Sequence, residues 1–232
     1  MTALTMPAPS PVPDRPPARL GRWVELALVF AVAPGALSLG PRWLVLPAIL
    51  TGGLACLILL LADPTFSRRR LFDAQAARRG MPAVLVRTLV VWTGLLLFAM
   101  ATRGPAGMFL FPRSHPGLWL AVALLYPIFS VYPQELMYRT FFFHRYRDLF
   151  RTRAAAIVTN AVLFGWAHVI VHNFTAVVLT ALGGPLFAYT YDRARSTLLV
   201  AAEHALYGDF VFSVGIGGMF VNGVRLLSKV LR

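Results

Sequence analysis

An all-α, polytopic bundle of seven or eight transmembrane helices is the fold this chain predicts, on three observations. Of its 232 residues, 58% are hydrophobic and 13% charged, with a mean hydropathy of +0.67; soluble domains carry about a quarter charged residues. The apolar residues fall in runs close to the roughly 20 that a helix needs to span a bilayer. The charges fall between those runs. A water-soluble globule of this size cannot hide so much apolar surface, and in lipid the backbone polar groups must be satisfied within helices.

Taken in order, residues 1–22 hold six prolines with Asp14, Arg15, Arg19 and Arg22 and no apolar signal-peptide core. They read as a disordered, Pro-rich cytosolic tail rather than a cleaved leader. The rest, 23–232, reads as a single transmembrane helical domain. Its first two segments, Trp23–Leu39 and Trp43–Ala62, are joined at Gly40-Pro41-Arg42. A basic loop follows with Arg68, Arg69, Arg70, Arg78 and Arg79, then a third segment, Val84–Thr102. The fourth runs from Gly117 to about Tyr146 and is expected to break at Pro133, which has no N–H for a helical bond. The fifth and sixth are about Ala154–His172 and Phe174–Tyr191. The last apolar stretch, Thr197–Val221, is one long helix or two short ones.

Orientation follows from the arginines. The tail and the gaps at 68–79, 145–153 and 193–195 carry most of them and alternate with arginine-poor gaps. Positive charge is retained inside, so these gaps and the amino terminus are expected in the cytosol of a multi-pass protein of the cytoplasmic (inner) membrane. An eighth crossing would bring Arg225, Lys229 and Arg232 to the same side. The net charge of +13 thus suits lipid headgroups, and no basic face interleaved with exposed aromatics speaks for nucleic acid. The lone Cys56 excludes an intrachain disulfide and a cysteine metal cluster. Gly183, Gly184, Gly217 and Gly218 read as helix-packing positions within the chain.

Ionisable residues inside apolar segments are costly and mark function or a partner. Three stretches hold them: Gln134-Glu135 through Arg139, Phe164 through His168, and Glu203-His204 through Asp209. Glu135 and Arg139 are i and i+4 on one face, close enough to pair. Rises of 1.5 Å per residue put Glu135 about 15 Å, His168 about 22 Å and His204 about 13 Å from the basic ends of their segments, so the three can meet. His168 and His172 share an i, i+4 spacing that can hold zinc, with Glu135 or Glu203 as the third ligand. No glutamate follows the first histidine as in zincins. His115 and His144 lie near segment ends and read as interfacial.

The order and spacing of these residues resemble the CPBP (CAAX protease and bacteriocin-processing) intramembrane endopeptidases, which include the type II CAAX prenyl endopeptidases. The family pattern is EExxxR, FxxxH and a later HxxxN; here stand Gln134-Glu135-x-x-x-Arg139, Phe164-x-x-x-His168 and His204-x-x-x-Gly208. The resemblance covers about 117–210. It implies glutamic-type proteolysis of a membrane-associated protein or peptide with no obligatory metal or other cofactor. His168 would orient or deprotonate water, His204 would stabilise the oxyanion and Arg139 would anchor the glutamate turn. Two positions depart from the pattern. Gln134 stands where the water-activating glutamate is expected, and Gly208 where the asparagine is. Either Gln134 holds the water and Glu135 takes its proton, or Glu203 serves as base or histidine orienter. A catalytically inactive relative that binds a membrane partner is the alternative. Neighbouring helical residues point about 100° apart, so Glu135 reaches the water only if this turn is rotated.

Overall fold

The computed structural model describes residues 16–220. Among them are seven long helical runs. α1 is Arg19–Ser38, α2 Arg42–Ala62, α3 Ala74–Gly107, α4 Pro116–Arg145, α5 Arg153–Val171, α6 Phe174–Ala194 and α7 Thr197–Ser213. All but α7 belong to six helices long and apolar enough to cross a membrane. Helical structure begins at Pro16, so the tail expected over 1–22 is already helical in its last part. The last apolar stretch, expected over Thr197–Val221 as one long helix or two short ones, is a helix that ends at Ser213 with a 3-10 turn at Gly217–Met219, and residues from Val221 on lie outside the described ones.

Polar caps set the helix starts. Asp73, Thr152, Asn173 and Ser196 each accept a backbone N–H from the first turn of α3, α5, α6 and α7. Such caps satisfy donors that lipid would leave orphaned. α3 starts ten residues before the expected Val84, so Arg78 and Arg79 lie on its first turns rather than in a loop. Near its other end it kinks at Gly104 (φ 67°, ψ 170°).

The expected break at Pro133 does not occur. α4 runs through it, with a π turn at Pro127–Val131 just before and another at Leu136–Phe141 just after. α1 carries the same device, a π turn at Leu28–Val32 ahead of Pro34. A π turn spaces the hydrogen bonds more widely, which makes room for a ring that would clash with the carbonyl four residues back in a regular helix.

α5 and α6 pack closest. A Cβ on Gly165 would lie 2.7 Å from the Ala181 Cβ, and one on Gly184 would lie 2.9 Å from the Ala161 Cα. Only hydrogen fits at either place, and Gly184 thus serves the intrachain packing its sequence position suggested. The main core joins Phe30, Tyr138, Phe142, Tyr146, Phe164, Phe187 and Tyr191. The outward residues, among them Ile58, Val86, Leu89, Val90, Leu124 and Val162, are exposed and apolar, the surface lipid requires.

All four arginine-bearing gaps gather at one end of the bundle. There Arg145 binds Glu25 at 2.5 Å, Arg22 binds Asp148 at 2.8 Å, and His144 meets Asp63 at 2.8 Å. Thr197 bonds the Arg70 carbonyl, and Arg153 donates to Asp192.

Candidate active site

A cavity of about 950 Å³ opens between the helices. Its wall is mostly aliphatic and aromatic, and Leu28, Leu46 and Leu182 on its rim are exposed at the bundle flank. Its polar lining comes from a few side chains: Tyr126, Ser130, Gln134 and Tyr138 of α4, His168 of α5, Thr180 of α6, and His204 and Tyr207 of α7.

On α4 the adjacent Gln134 and Glu135 divide as helical geometry requires. Gln134 lies on the cavity wall, its amide donating to the Ser130 hydroxyl at 2.9 Å. Glu135 is 0% exposed and stands behind the wall. Its Oε1 accepts from His204 Nδ1 at 2.7 Å and from Arg139 Nη1 at 3.3 Å. The i, i+4 pair read from the sequence is formed. Arg139, also 0% exposed, further donates to the Gly184 carbonyl at 3.4 Å, and its guanidinium lies 4.1 Å from the Phe164 ring centroid. Carboxylate, carbonyl and aromatic face together make a buried cation tolerable.

Each histidine has its tautomer set by a partner. A carbonyl only accepts, so His168 Nδ1, 2.8 Å from the Phe164 carbonyl, carries the proton and leaves Nε2 with a lone pair. His204 Nδ1 likewise donates to Glu135, which sends Nε2 toward the Tyr126 hydroxyl at 3.3 Å. The Phe164 ring sits against both imidazoles, 4.9 Å from His168 and 5.6 Å from His204, while Phe187 stacks on His204 at 4.7 Å. His168 and His204 thus share one cavity with Gln134, and Glu135 and Arg139 hold it from behind.

Other sequence candidates lie elsewhere. Glu203 does not orient His204; it accepts from Arg87 Nε at 3.1 Å and from the Tyr207 hydroxyl at 3.0 Å. His172 is not stacked beneath His168 on an α-helical face. The α-helix ends at Ala167, residues 168–171 form a 3-10 turn, and His172 (φ 53°) bonds the Ser38 carbonyl at 2.8 Å. Among the described residues no three His, Cys, Asp or Glu side chains gather as a metal site. Asp209 keeps a buried Oδ1 with no partner. Two polar residues went unread. Arg87, in the middle of an apolar segment, carried the same signal as Arg139. Tyr126 carried none.

The match to known proteins falls on this same set of helices. Residues 116–208 match the Rce1-like family, the type II CAAX prenyl endopeptidases. This segment belongs to that family. No curated protein and no solved structure matches the chain. The Rce1-like segment begins at the first residue of α4 and ends in α7 at Gly208, so it contains every polar group of the cavity. α1–α3 lie outside it and supply much of the apolar wall. That family is one of endopeptidases.

Proposed function

We propose that the chain is a CAAX-type intramembrane endopeptidase that hydrolyses a peptide bond of a membrane-associated protein or peptide held in the apolar cavity. One observation carries the reading: His168 has its Nδ1 committed to a carbonyl and its Nε2 lone pair available on the cavity wall. A histidine so fixed is a competent general base. Gln134, which cannot take a proton, holds the water through its amide. Glu135 is a positioning residue that fixes the His204 ring through its bond to Nδ1.

The reaction then balances on these groups. Water oxygen attacks the scissile carbonyl carbon as His168 Nε2 takes a water proton, and the carbonyl π electrons move to oxygen. The oxyanion is met by donors beside His204 Nε2, in a site whose apolar wall strengthens such contacts. Collapse breaks the C–N bond, and the proton on His168 passes to the leaving nitrogen. No metal or other cofactor takes part in this sequence. The arginine-rich end faces the cytosol of an inner-membrane protein, and cleavage falls in that half of the bilayer.

A second reading, a relative that binds a membrane peptide without cutting it, draws on the absence of any carboxylate among the described residues lining the cavity. One comparison separates the two. Protein termini are mapped in membranes of cells carrying the native chain or His168→Ala at equal level. New termini confined to the native chain are expected and would name the substrate. Identical termini in both would give the case to binding alone.

A further inference from the structure

We infer that Tyr126 is a catalytic residue that supplies an oxyanion hydrogen bond from α4, across the space that Gly208 of α7 leaves open. The inference rests on the hydrolytic reading above for the reaction it serves. Three observations converge on this tyrosine. Its hydroxyl lines the cavity and lies 3.3 Å from His204 Nε2. Its ring and hydroxyl fill the space a side chain at 208 would need: a Cβ on Gly208 would meet Tyr126 Oη at 2.5 Å and Cε1 at 2.5 Å. Glycine at 208 and tyrosine at 126 are therefore one packing solution, in which a phenol reaching across from α4 takes the space beside α7 and His204.

The helix is built to bring that phenol to the site. Tyr126, Ser130 and Gln134 all line the cavity at intervals of four residues. At 3.6 residues per turn the first and last would be rotated about 80° apart. The π turn at Pro127–Val131 lies between them. Its larger residue count per turn unwinds this drift and keeps both groups on the cavity side. Tyr126 therefore stands beside the group that Gln134 and His168 would act on. With His204 Nδ1 committed to Glu135, the Tyr126 hydroxyl donates to Nε2 in the resting site, and its hydrogen turns to the oxyanion as that charge forms on the scissile carbonyl. As the tetrahedral centre collapses the charge leaves that oxygen, and the phenolic hydrogen returns to His204 Nε2.

The test uses the full chain in lipid with two probes: a prenylated peptide ending in a CAAX sequence, and its isostere with a phosphinate in place of the scissile amide. Removing one oxyanion donor costs about 10²–10³ in kcat. Tyr126→Phe should therefore lower kcat about 10²-fold with KM nearly unchanged. It should also reduce the preference for phosphinate over amide at least about tenfold. Gly208→Asn alone should be impaired, because Tyr126 occupies its place. Tyr126→Ala combined with Gly208→Asn should recover at least about tenfold over Tyr126→Ala. An unchanged phosphinate preference in Tyr126→Phe overturns the assignment. The binding ratio needs no turnover. A native chain that favours the phosphinate through Tyr126 yet cuts nothing would refute the hydrolytic reading and leave this donor standing.

Discussion

Replacing Glu135 by glutamine tests the buried ion pair at the centre of the site. Both partners are 0% exposed, so solvent does not screen them. Breaking a buried pair by removing one charge costs about 3–5 kcal/mol, because the other charge stays buried without compensation. Glutamine keeps an oxygen for His204 Nδ1 and Arg139 Nη1, which places the loss at the lower end, about 3 kcal/mol. Its amide nitrogen also replaces Oε2, which has no partner, and brings a donor where no acceptor waits. Arg139 would keep that neutral oxygen, the Gly184 carbonyl at 3.4 Å and the rings of Phe164 and Phe187, but would lose its paired carboxylate. At about 2–4 °C per kcal/mol for a chain of this size, thermal unfolding in detergent should fall by roughly 6–12 °C. Arg139→Met added to Glu135→Gln should cost much less than the sum of the two single changes, since the double variant buries no lone charge. A Glu135→Gln melting temperature within about 1 °C of native, or strictly additive losses, would refute the account of this pair.

Three more outcomes follow from the same reasoning. Glu203→Gln should destabilise by about 1–3 kcal/mol, less than a fully buried pair because Arg87 is partly exposed, measured as a detergent melting shift; pairing with Arg87 predicts that Arg87→Met in the same chain recovers most of it, and no recovery would contradict that pairing. Gly165→Ala, whose methyl would lie 2.7 Å from the Ala181 Cβ, should cost about 1–3 kcal/mol through overpacking of α5 on α6, whereas Gly94→Ala, with nothing within 4 Å, should not; equal stability of the two variants would refute the close-contact argument. Asp63 is held at about 2, below its usual 3.8, first by the Thr65 hydroxyl and then by His144. A lowered carboxyl contributes stability that is complete above about pH 4 and disappears as pH falls toward 2, so the gap between native and Asp63→Asn melting temperatures should close over that range; a constant gap would remove Asp63 from the pH dependence.

The sequence by itself determined what depends on local periodicity and composition. Apolar runs of membrane length place the helices, and arginines in alternate gaps foretell which ends gather together. The i, i+4 spacing foretells that Glu135 meets Arg139, and the three ordered motifs foretell the Rce1-like segment. Tertiary structure decided what depends on the rotation of each helix about its axis. The π turns around Pro133 leave no mark in an apolar pattern, yet they set Gln134 on the cavity and Glu135 behind it. The partner of Glu203 is Arg87 rather than its neighbour His204, because residues adjacent in a helix point about 100° apart and meet different helices. That Tyr126 occupies the space left at Gly208 could not be read from either residue. The contact joins positions 82 residues apart, and it exists only because α4 and α7 approach closely enough for one side chain to take the place of another.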